Sequence, residues 1–193
     1  MSGVRKFQEE MTAFFRKLYI GEEKRLVFGE GSENARLMLI GEAPGEQESI
    51  QGRPFVGRAG KNLDEFLEIS GIDRRALYIT NTVKFRPTKI SQAGRIVNRP
   101  PTPEEIRLNE PWLIREIQLV RPDIIVTLGN VPLKTLLGKE KTIGECHGRW
   151  IEWNDNIKLY PLYHPASVIY NPSLKEVYRS DVIRLGEEMR ANG

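Results

Sequence analysis

Residues 36–45 read Arg36-Leu37-Met38-Leu39-Ile40-Gly41-Glu42-Ala43-Pro44-Gly45, a short apolar run closed by a glycine that opens into a polar, proline-stiffened loop. A continuous apolar run of this length bounded by a glycine is the mark of a strand buried on both faces. The same pattern recurs in Leu77-Tyr78-Ile79-Thr80, in Asp123–Leu128 around Ile124-Ile125-Val126, and in Lys158–Tyr163. Between these runs lie helical patterns. Val4, Phe7, Met11, Phe14, Phe15 and Leu18 share one helix face; Leu63, Phe66 and Leu67 mark a helix from about Asn62 to Ser70, stopped by Gly71. Thr102-Pro103-Glu104-Glu105 carries a capping box and a first-turn proline, so a helix is expected from there to about Val120. Short and long helices are expected at Val131–Leu137 and Ser173–Arg190.

Strands alternating with helices predict a parallel sheet covered on both faces, a three-layer α/β/α sandwich with a central four-stranded, mostly parallel sheet, in a single domain over residues 1–193. Ligands of such sheets bind outside the carboxyl ends of the strands. Here those ends deliver Gly41-Glu42, Asn81, Gly129-Asn130 and His164 to one rim.

Composition narrows the class. An apolar fraction of 39% and a charged fraction of 28% are ordinary for a globular domain, and no stretch has the run of apolar residues that a membrane span requires. The N-terminus lacks the apolar segment of a secretion signal, and the single cysteine, Cys146, fits a reducing cytoplasm. The net charge of +3 is a weak indicator, but its distribution is informative: Lys84, Arg86, Lys89, Arg95 and Arg99 fall in one stretch without an acidic residue, which suits a polyanion or, more plainly, a solvated loop.

Four stretches carry candidate chemistry. The Gly41–Gly45 loop offers exposed amides to an anion or a developing oxyanion, although taken alone it is an ordinary tight turn. In Gly52-Arg53-Pro54-Phe55-Val56-Gly57-Arg58-Ala59-Gly60 an aromatic is held between glycines, and Asn81 presents a donor and an acceptor in one plane at a strand end. His164-Pro165-Ala166-Ser167, followed by Asn171-Pro172, places one of two histidines at the end of another strand. Each has a structural explanation when read singly. Together they resemble the two signature regions of the iron–sulfur type (family 4) uracil-DNA glycosylases, and the likeness extends from about Val27 to Asp181.

The resemblance implies a DNA-repair enzyme that flips uracil out of DNA and hydrolyses its N-glycosidic bond. It implies that Phe55 stacks on the base, that Asn81 reads the uracil edge through O4 and N3–H, and that His164 donates to O2 as the base leaves with anionic charge. Gly41 belongs to the base pocket, and Glu42 stands where the family handles the catalytic water, by its carboxylate or by its backbone N–H. Glu46 and Glu48 read as solvated loop charges. Ser167, Val168 and Ile169 fall where such enzymes enter the minor groove; Val168 or Ile169 would act as a wedge or belong to the core. With Lys84, Arg86, Lys89, Arg95 and Arg99 they form the expected DNA contacts, made by a monomer on uracil-containing DNA, in the cytoplasm, with no membrane partner.

The chain departs from the family at its metal centre. Members hold a [4Fe–4S] cluster on four cysteines. Here residues 17–24 are Lys-Leu-Tyr-Ile-Gly-Glu-Glu-Lys where a Cys-x-x-Cys pair belongs, Phe85 stands in Lys84-Phe85-Arg86-Pro87 at the third position and Asn109 at the fourth. No cluster and no other metal site are therefore expected, with Phe85 filling vacated volume. Cys146-His147 reads as a free thiol beside a histidine. The Thr88–Arg99 segment is also several residues longer than in the family. Two further readings stay open: a non-catalytic nucleic-acid-binding protein on the same scaffold, and a glycosylase for another deaminated base such as hypoxanthine.

Overall fold

The apolar runs 37–41 and 124–128 lie side by side as parallel strands, Leu37 opposite Ile124 and Ile40 opposite Thr127. The computed structural model describes residues 3–22, 24–154 and 156–191. Met1 and Ser2, and Glu23 within the 17–24 segment, lie outside the described residues.

In chain order the elements are α1 (Gly3–Leu18), β1 (Glu30–Gly31), β2 (Leu37–Gly41), α2 (Glu46–Gln51), α3 (Arg58–Ser70), β3 (Tyr78–Asn81), β4 (Thr88–Ile90) and β5 (Ile96–Asn98). There follow α4 (Pro103–Val120), β6 (Ile124–Leu128), α5 (Asn130–Leu137), α6 (Ile143–Cys146), β7 (Ile151–Asn154), β8 (Ile157–Leu162), α7 (Pro165–Tyr170) and α8 (Lys175–Ala191). The main sheet has the order β1-β3-β2-β6-β8-β7. Its four inner strands run parallel, as the apolar runs predict. Among the described residues it has six strands rather than four, because β1 and β7 add antiparallel edges. Neither edge has a signature in the sequence: β1 is two residues long, and β7 alternates half-buried with exposed positions instead of forming an apolar run. Mixed sheets with such edges are common.

Alternation along each inner strand sends side chains to two cores. Leu37, Leu39, Ile79, Val126 and Leu162 meet Leu63, Phe66 and Leu67 of α3 and Tyr178, Val182 and Leu185 of α8 on one face. Met38, Ile40, Ile125 and Leu159 meet Leu113, Ile117 and Val120 of α4 on the other. Outside α4, Phe7, Met11 and Phe15 of α1 close over Val83 and Phe85. The three-layer sandwich follows from these faces. The capping box at Thr102 is formed as expected: its hydroxyl accepts from Glu105 N–H at 3.1 Å, and Glu105 reaches back to Thr102 N–H at 2.8 Å.

One expectation is overturned outright. Lys84, grouped by sequence with the DNA-contacting cations, is fully buried. Its Nζ donates to Glu116 Oε2 at 2.5 Å, to Thr80 Oγ1 at 2.5 Å and to the Asn81 carbonyl at 2.6 Å. The Tyr78 hydroxyl donates to the other Glu116 oxygen at 2.9 Å. Burial pulls the Lys84 ammonium below the usual lysine range, and Glu116 opposes that pull. A charge in an apolar interior must be paired and saturated with hydrogen bonds, and this one is. Glu116→Ala should therefore cost about 3–5 kcal/mol by leaving an uncompensated ammonium, whereas the double variant Lys84→Met/Glu116→Leu should recover most of that loss. Urea unfolding of the two variants checks this; equal destabilisation would contradict it.

Candidate active site

The site is assembled at the carboxyl ends of β2, β3 and β8. Gly41, the last residue of β2, is there because nothing larger fits. A Cβ on it would lie 2.4 Å from Asn81 Oδ1 and 2.6 Å from the Phe55 ring. The absent side chain lets the Asn81 amide and the Phe55 ring meet over the strand backbone. Asn81 closes β3 as its buried last residue, rather than following the strand.

Phe55 has φ of +52°, a left-handed conformation that a bulky residue adopts only when its surroundings impose it. Three contacts do so. The Arg74 guanidinium donates to the Phe55 and Pro54 carbonyls, each at 3.2 Å. Gly60 of α3 packs so closely that a Cβ would fall 1.9 Å from the Phe55 carbonyl oxygen. Glu48 accepts from the N–H groups of Gly45, Val56 and Gly57 at 3.1, 3.0 and 2.7 Å. The sequence reading of Glu48 as a solvated charge is thus corrected: it clamps the Gly41–Gly45 loop to the Phe55 loop. Its spacing, three residues after the glycine that caps α2, was the available signal.

His164 caps α7. Its Nδ1 accepts from Ala166 N–H at 3.1 Å, which leaves the proton of the neutral ring on Nε2. Burial depresses its pKa to about 4, with the nearby Glu48 charge acting in the opposite sense. The ring is neutral near pH 7 and presents a fixed N–H donor. Its centroid is 5.9 Å from that of Phe55, with the planes 31° apart. Gly129, at φ +90°, allows this approach, since a Cβ there would sit 3.2 Å from the His164 Cβ. Asn130, expected at the same rim, has its side-chain oxygen engaged by the N–H of Ile143, the first residue of α6, at 2.9 Å.

Phe55, Asn81 and His164 line one cavity of about 530 Å³ together with Glu48, Asn98 and Tyr170. Sequence reasoning missed Glu48, read as a solvated charge, and Asn98, which belongs to a hairpin with no apolar run to announce it; Tyr170, in the stretch expected to enter the minor groove, is 82% exposed at the cavity's rim. Glu42 is half-buried and is not among the residues that line this cavity. Desolvation raises its carboxyl above the ordinary 4.5. Its carbonyl accepts from Val83 N–H at 3.0 Å, which ties the start of the loop to the end of β3.

The remaining expected DNA contacts divide. Val168 is buried in the core against α3 and α8, which excludes it as a wedge. Ile169 lines the cavity, and Ser167 is half-buried in α7. Arg86 donates to Asn98 Oδ1 at 2.6 Å and pairs with Glu46 at 3.2 Å. Arg99 forks onto Glu105 at 2.6 and 2.7 Å. Lys89 and Arg95 are exposed on the hairpin.

The positions that the resemblance assigns to cluster thiolates do converge, but their side chains do not fit iron. Phe85 packs edge-on against Phe15 and Tyr19 at centroid distances of 5.8 and 5.5 Å, and Lys24 Nζ lies 5.0 Å from the Tyr19 ring and 5.2 Å from that of Phe85. Asn109 Oδ1 accepts from Lys84 N–H at 3.1 Å, and its amide donates to the Glu105 carbonyl at 2.8 Å. A hydrocarbon ring, an engaged amide and a cation offer no thiolate set. Cys146, buried among Leu133 and Ile143, belongs to a separate cluster.

Residues 28–184 match the model of the Uracil DNA glycosylase superfamily. The chain is 41% identical over 174 residues to the type-4 uracil-DNA glycosylase of Saccharolobus solfataricus, covering 86% of this chain and 77% of that protein. It is 39% identical over 166 residues to the type-4 enzyme of Archaeoglobus fulgidus (82% and 79%), and 36% identical over 195 residues to that of Sulfurisphaera tokodaii (97% and 85%).

The protonation state of His164 can be checked directly. Nitrogen-detected NMR of the imidazole should show an Nε2-protonated neutral ring from pH 8 down to pH 5, titrating near 4 rather than at the ordinary 6.5. A midpoint near 6.5 would contradict the burial argument.

Proposed function

The chain belongs to the uracil DNA glycosylase superfamily, and from that premise we propose that it removes uracil from DNA by flipping the base and hydrolysing its N-glycosidic bond. The observation that carries the reading is the convergence of Phe55, Asn81 and His164 on one cavity from three separate stretches of chain. In the flipped state the Phe55 ring stacks on the pyrimidine, for which base–aromatic contact contributes on the order of 1–3 kcal/mol. The Asn81 amide donates to O4 and accepts from N3–H, a pattern that cytosine reverses.

The C1′–N1 bond then breaks, and its electron pair passes into the uracil ring towards O2. His164 Nε2–H, already oriented by the Ala166 amide, stabilises that charge as a neutral donor. The sugar is left cationic. Water adds its oxygen to C1′ and releases a proton to solvent, where it balances the departing uracil anion, with Glu42 as the carboxylate that orients the water and opposes the sugar charge. Because burial raises Glu42 above 4.5, acid removes that carboxylate earlier than it would an exposed one. The protein contacts are those of Ser167 and Ile169 with the DNA groove, and of Lys89 and Arg95 with phosphate. Arg86 and Arg99, engaged with Glu46 and Glu105, act first as supports of the hairpin.

The proposed reaction needs no metal, and we infer that the protein carries no cluster. The single cysteine and the filled positions at Phe85 and Asn109 support this. Among the described residues no helix is long and apolar enough to cross a membrane. We infer a monomer acting on cytoplasmic DNA.

The decisive experiment incubates the protein with a labelled oligonucleotide bearing one uracil, then cleaves abasic sites with alkali, alongside hypoxanthine and cytosine controls. Uracil alone should be excised, and His164→Ala should lower the single-turnover rate about 10²–10³-fold while affinity falls little. An inactive parent that still binds DNA would replace this reading with a binding scaffold, and equal rates for parent and variant would remove His164 from the chemistry. The cluster inference has its own measurement. Well-folded purified protein should be colourless with far less than one iron per chain by elemental analysis, and four irons per chain would overturn it.

A further inference from the structure

Between Arg86 and Pro100 the chain forms a two-stranded ribbon that stands outside the main sheet. β4 pairs with β5 in the register Thr88–Asn98, Lys89–Val97 and Ile90–Ile96. Directly opposed residues share a face, and alternate residues along a strand share it too. Thr88, Ile90, Ile96 and Asn98 therefore occupy one face, and Lys89 and Val97 the other. Asn98 lines the cavity, so the face that carries both isoleucines is the one continuous with the site.

Ile90 and Ile96 are 76% and 66% exposed. A single exposed isoleucine needs no explanation, but a cross-strand pair of them on a ribbon that no element among the described residues covers is a standing solvation cost. The ribbon is held rather than loose. Arg99 Nε donates to the Thr88 carbonyl at 3.0 Å, Arg99 N–H to the Pro87 carbonyl at 3.1 Å, and Arg86 to Asn98 Oδ1 at 2.6 Å. At the tip, Ser91 N–H donates to the Arg95 carbonyl at 2.8 Å, and Ser91 Oγ accepts from Arg95 N–H at 3.1 Å. No acidic residue lies anywhere from Lys84 to Arg99.

We propose that the β4–β5 ribbon is a DNA-docking element: it enters a groove beside the target nucleotide, sets Ile90 and Ile96 against the base step unstacked by flipping, and turns Lys89 and Arg95 to the phosphates. This rests on the uracil-excision reading of the adjacent cavity. A duplex groove admits a two-stranded ribbon, and apolar wedges relieve the cost of an opened step. Charge complementarity and continuity with the base cavity fix the occupant as DNA. The ribbon would supply the wedge function that sequence assigned in part to Val168, which the core has taken.

The test uses the full chain and a duplex in which 2-aminopurine neighbours a single 2′-fluorinated uridine that resists excision, plus the cleavable duplex and single strand. Parent protein should raise 2-aminopurine fluorescence on binding. Ile90→Ser/Ile96→Ser should weaken duplex binding about tenfold and abolish most of that rise. Its activity on single-stranded uracil should stay within about threefold of the parent. Ile90→Leu/Ile96→Leu should restore duplex binding. Lys89→Ala/Arg95→Ala should instead flatten the salt dependence, by about 0.9 in slope for each phosphate that the variant no longer neutralises. Unchanged duplex affinity and fluorescence in the serine variant, with active parent, would overturn the ribbon's role and leave the excision reading intact. So would an equal loss on single strands. A parent that excises nothing from either substrate would overturn both.

Discussion

The buried ammonium of Lys84 holds together parts of the molecule that the sheet alone would leave independent. Its three hydrogen bonds run to Glu116 on α4, to Thr80 inside β3 and to the carbonyl of Asn81 at the end of that strand. Glu116 also accepts from Tyr78 and Thr80, so one carboxylate and one ammonium tie a helix to three residues of a single strand. An unmade bond in this set would leave a desolvated charge without a partner, which is far costlier than breaking an ion pair at the surface. The Asn81 amide therefore hangs from a segment whose backbone has little freedom. That pair is also the reason the chain cannot spend Lys84 on phosphate.

The same segment packs against Phe15, Tyr19, Leu26 and Val27 and against α4, and the loops there are linked by small contacts of several kinds. Val27 N–H donates to the Lys84 carbonyl at 2.7 Å, Leu26 bridges to Phe85, and Asn109 accepts from the Lys84 amide. Around these, Phe15, Tyr19 and Phe85 pack ring on ring under the Lys24 ammonium. Aromatic pairs contribute about 0.5–1.5 kcal/mol beyond their burial, and a partly exposed cation over a ring about 0.5–1 kcal/mol. Each contact is small, yet together they fill the space and satisfy the backbone. A dry gap there would have stranded the Lys84 N–H and carbonyl, which Asn109 and Val27 now engage.

How much of this is legible in the sequence depends on whether a residue's partner is near along the chain. The inner strands announce themselves because burial on both faces demands apolar runs, and the start of α4 because its capping box is local. The edges β1 and β7 do not, since pairing with a neighbour, not composition, makes them strands. Phe55, Asn81 and His164 stand out through motif resemblance, and their convergence on one cavity is a tertiary fact. The basic stretch misleads for a physical reason. Charge counted along a chain cannot distinguish Lys84, whose partner lies 32 residues away, from Lys89, which faces water. Glu48 misleads in the same way, because its partners are backbone amides that no side-chain pattern reveals. The alternation that puts Val168 in the core and Ile169 in the cavity wall is likewise set by how α7 docks, which Asn62 fixes by donating to the Pro165 carbonyl at 3.2 Å.

The electrostatics of the cavity follow from these placements. A protonated histidine would offer a stronger donor to a departing anion, but it would also bind phosphate and solvent before the base arrived. Burial removes that option by pushing His164 to about 4, and the Ala166 amide removes the other tautomer by occupying Nδ1. What remains is a neutral ring with its N–H aimed and its charge state fixed across the physiological range. Such a donor gains most when negative charge appears opposite it and little before, which is the condition for lowering a barrier rather than deepening a ground state. The strained Phe55 backbone serves the same end. Its cost is met in advance by Arg74, Gly60 and the Glu48 clamp, so that in the proposed reaction the ring is already in place when a base enters and need not reorganise before the bond-breaking step.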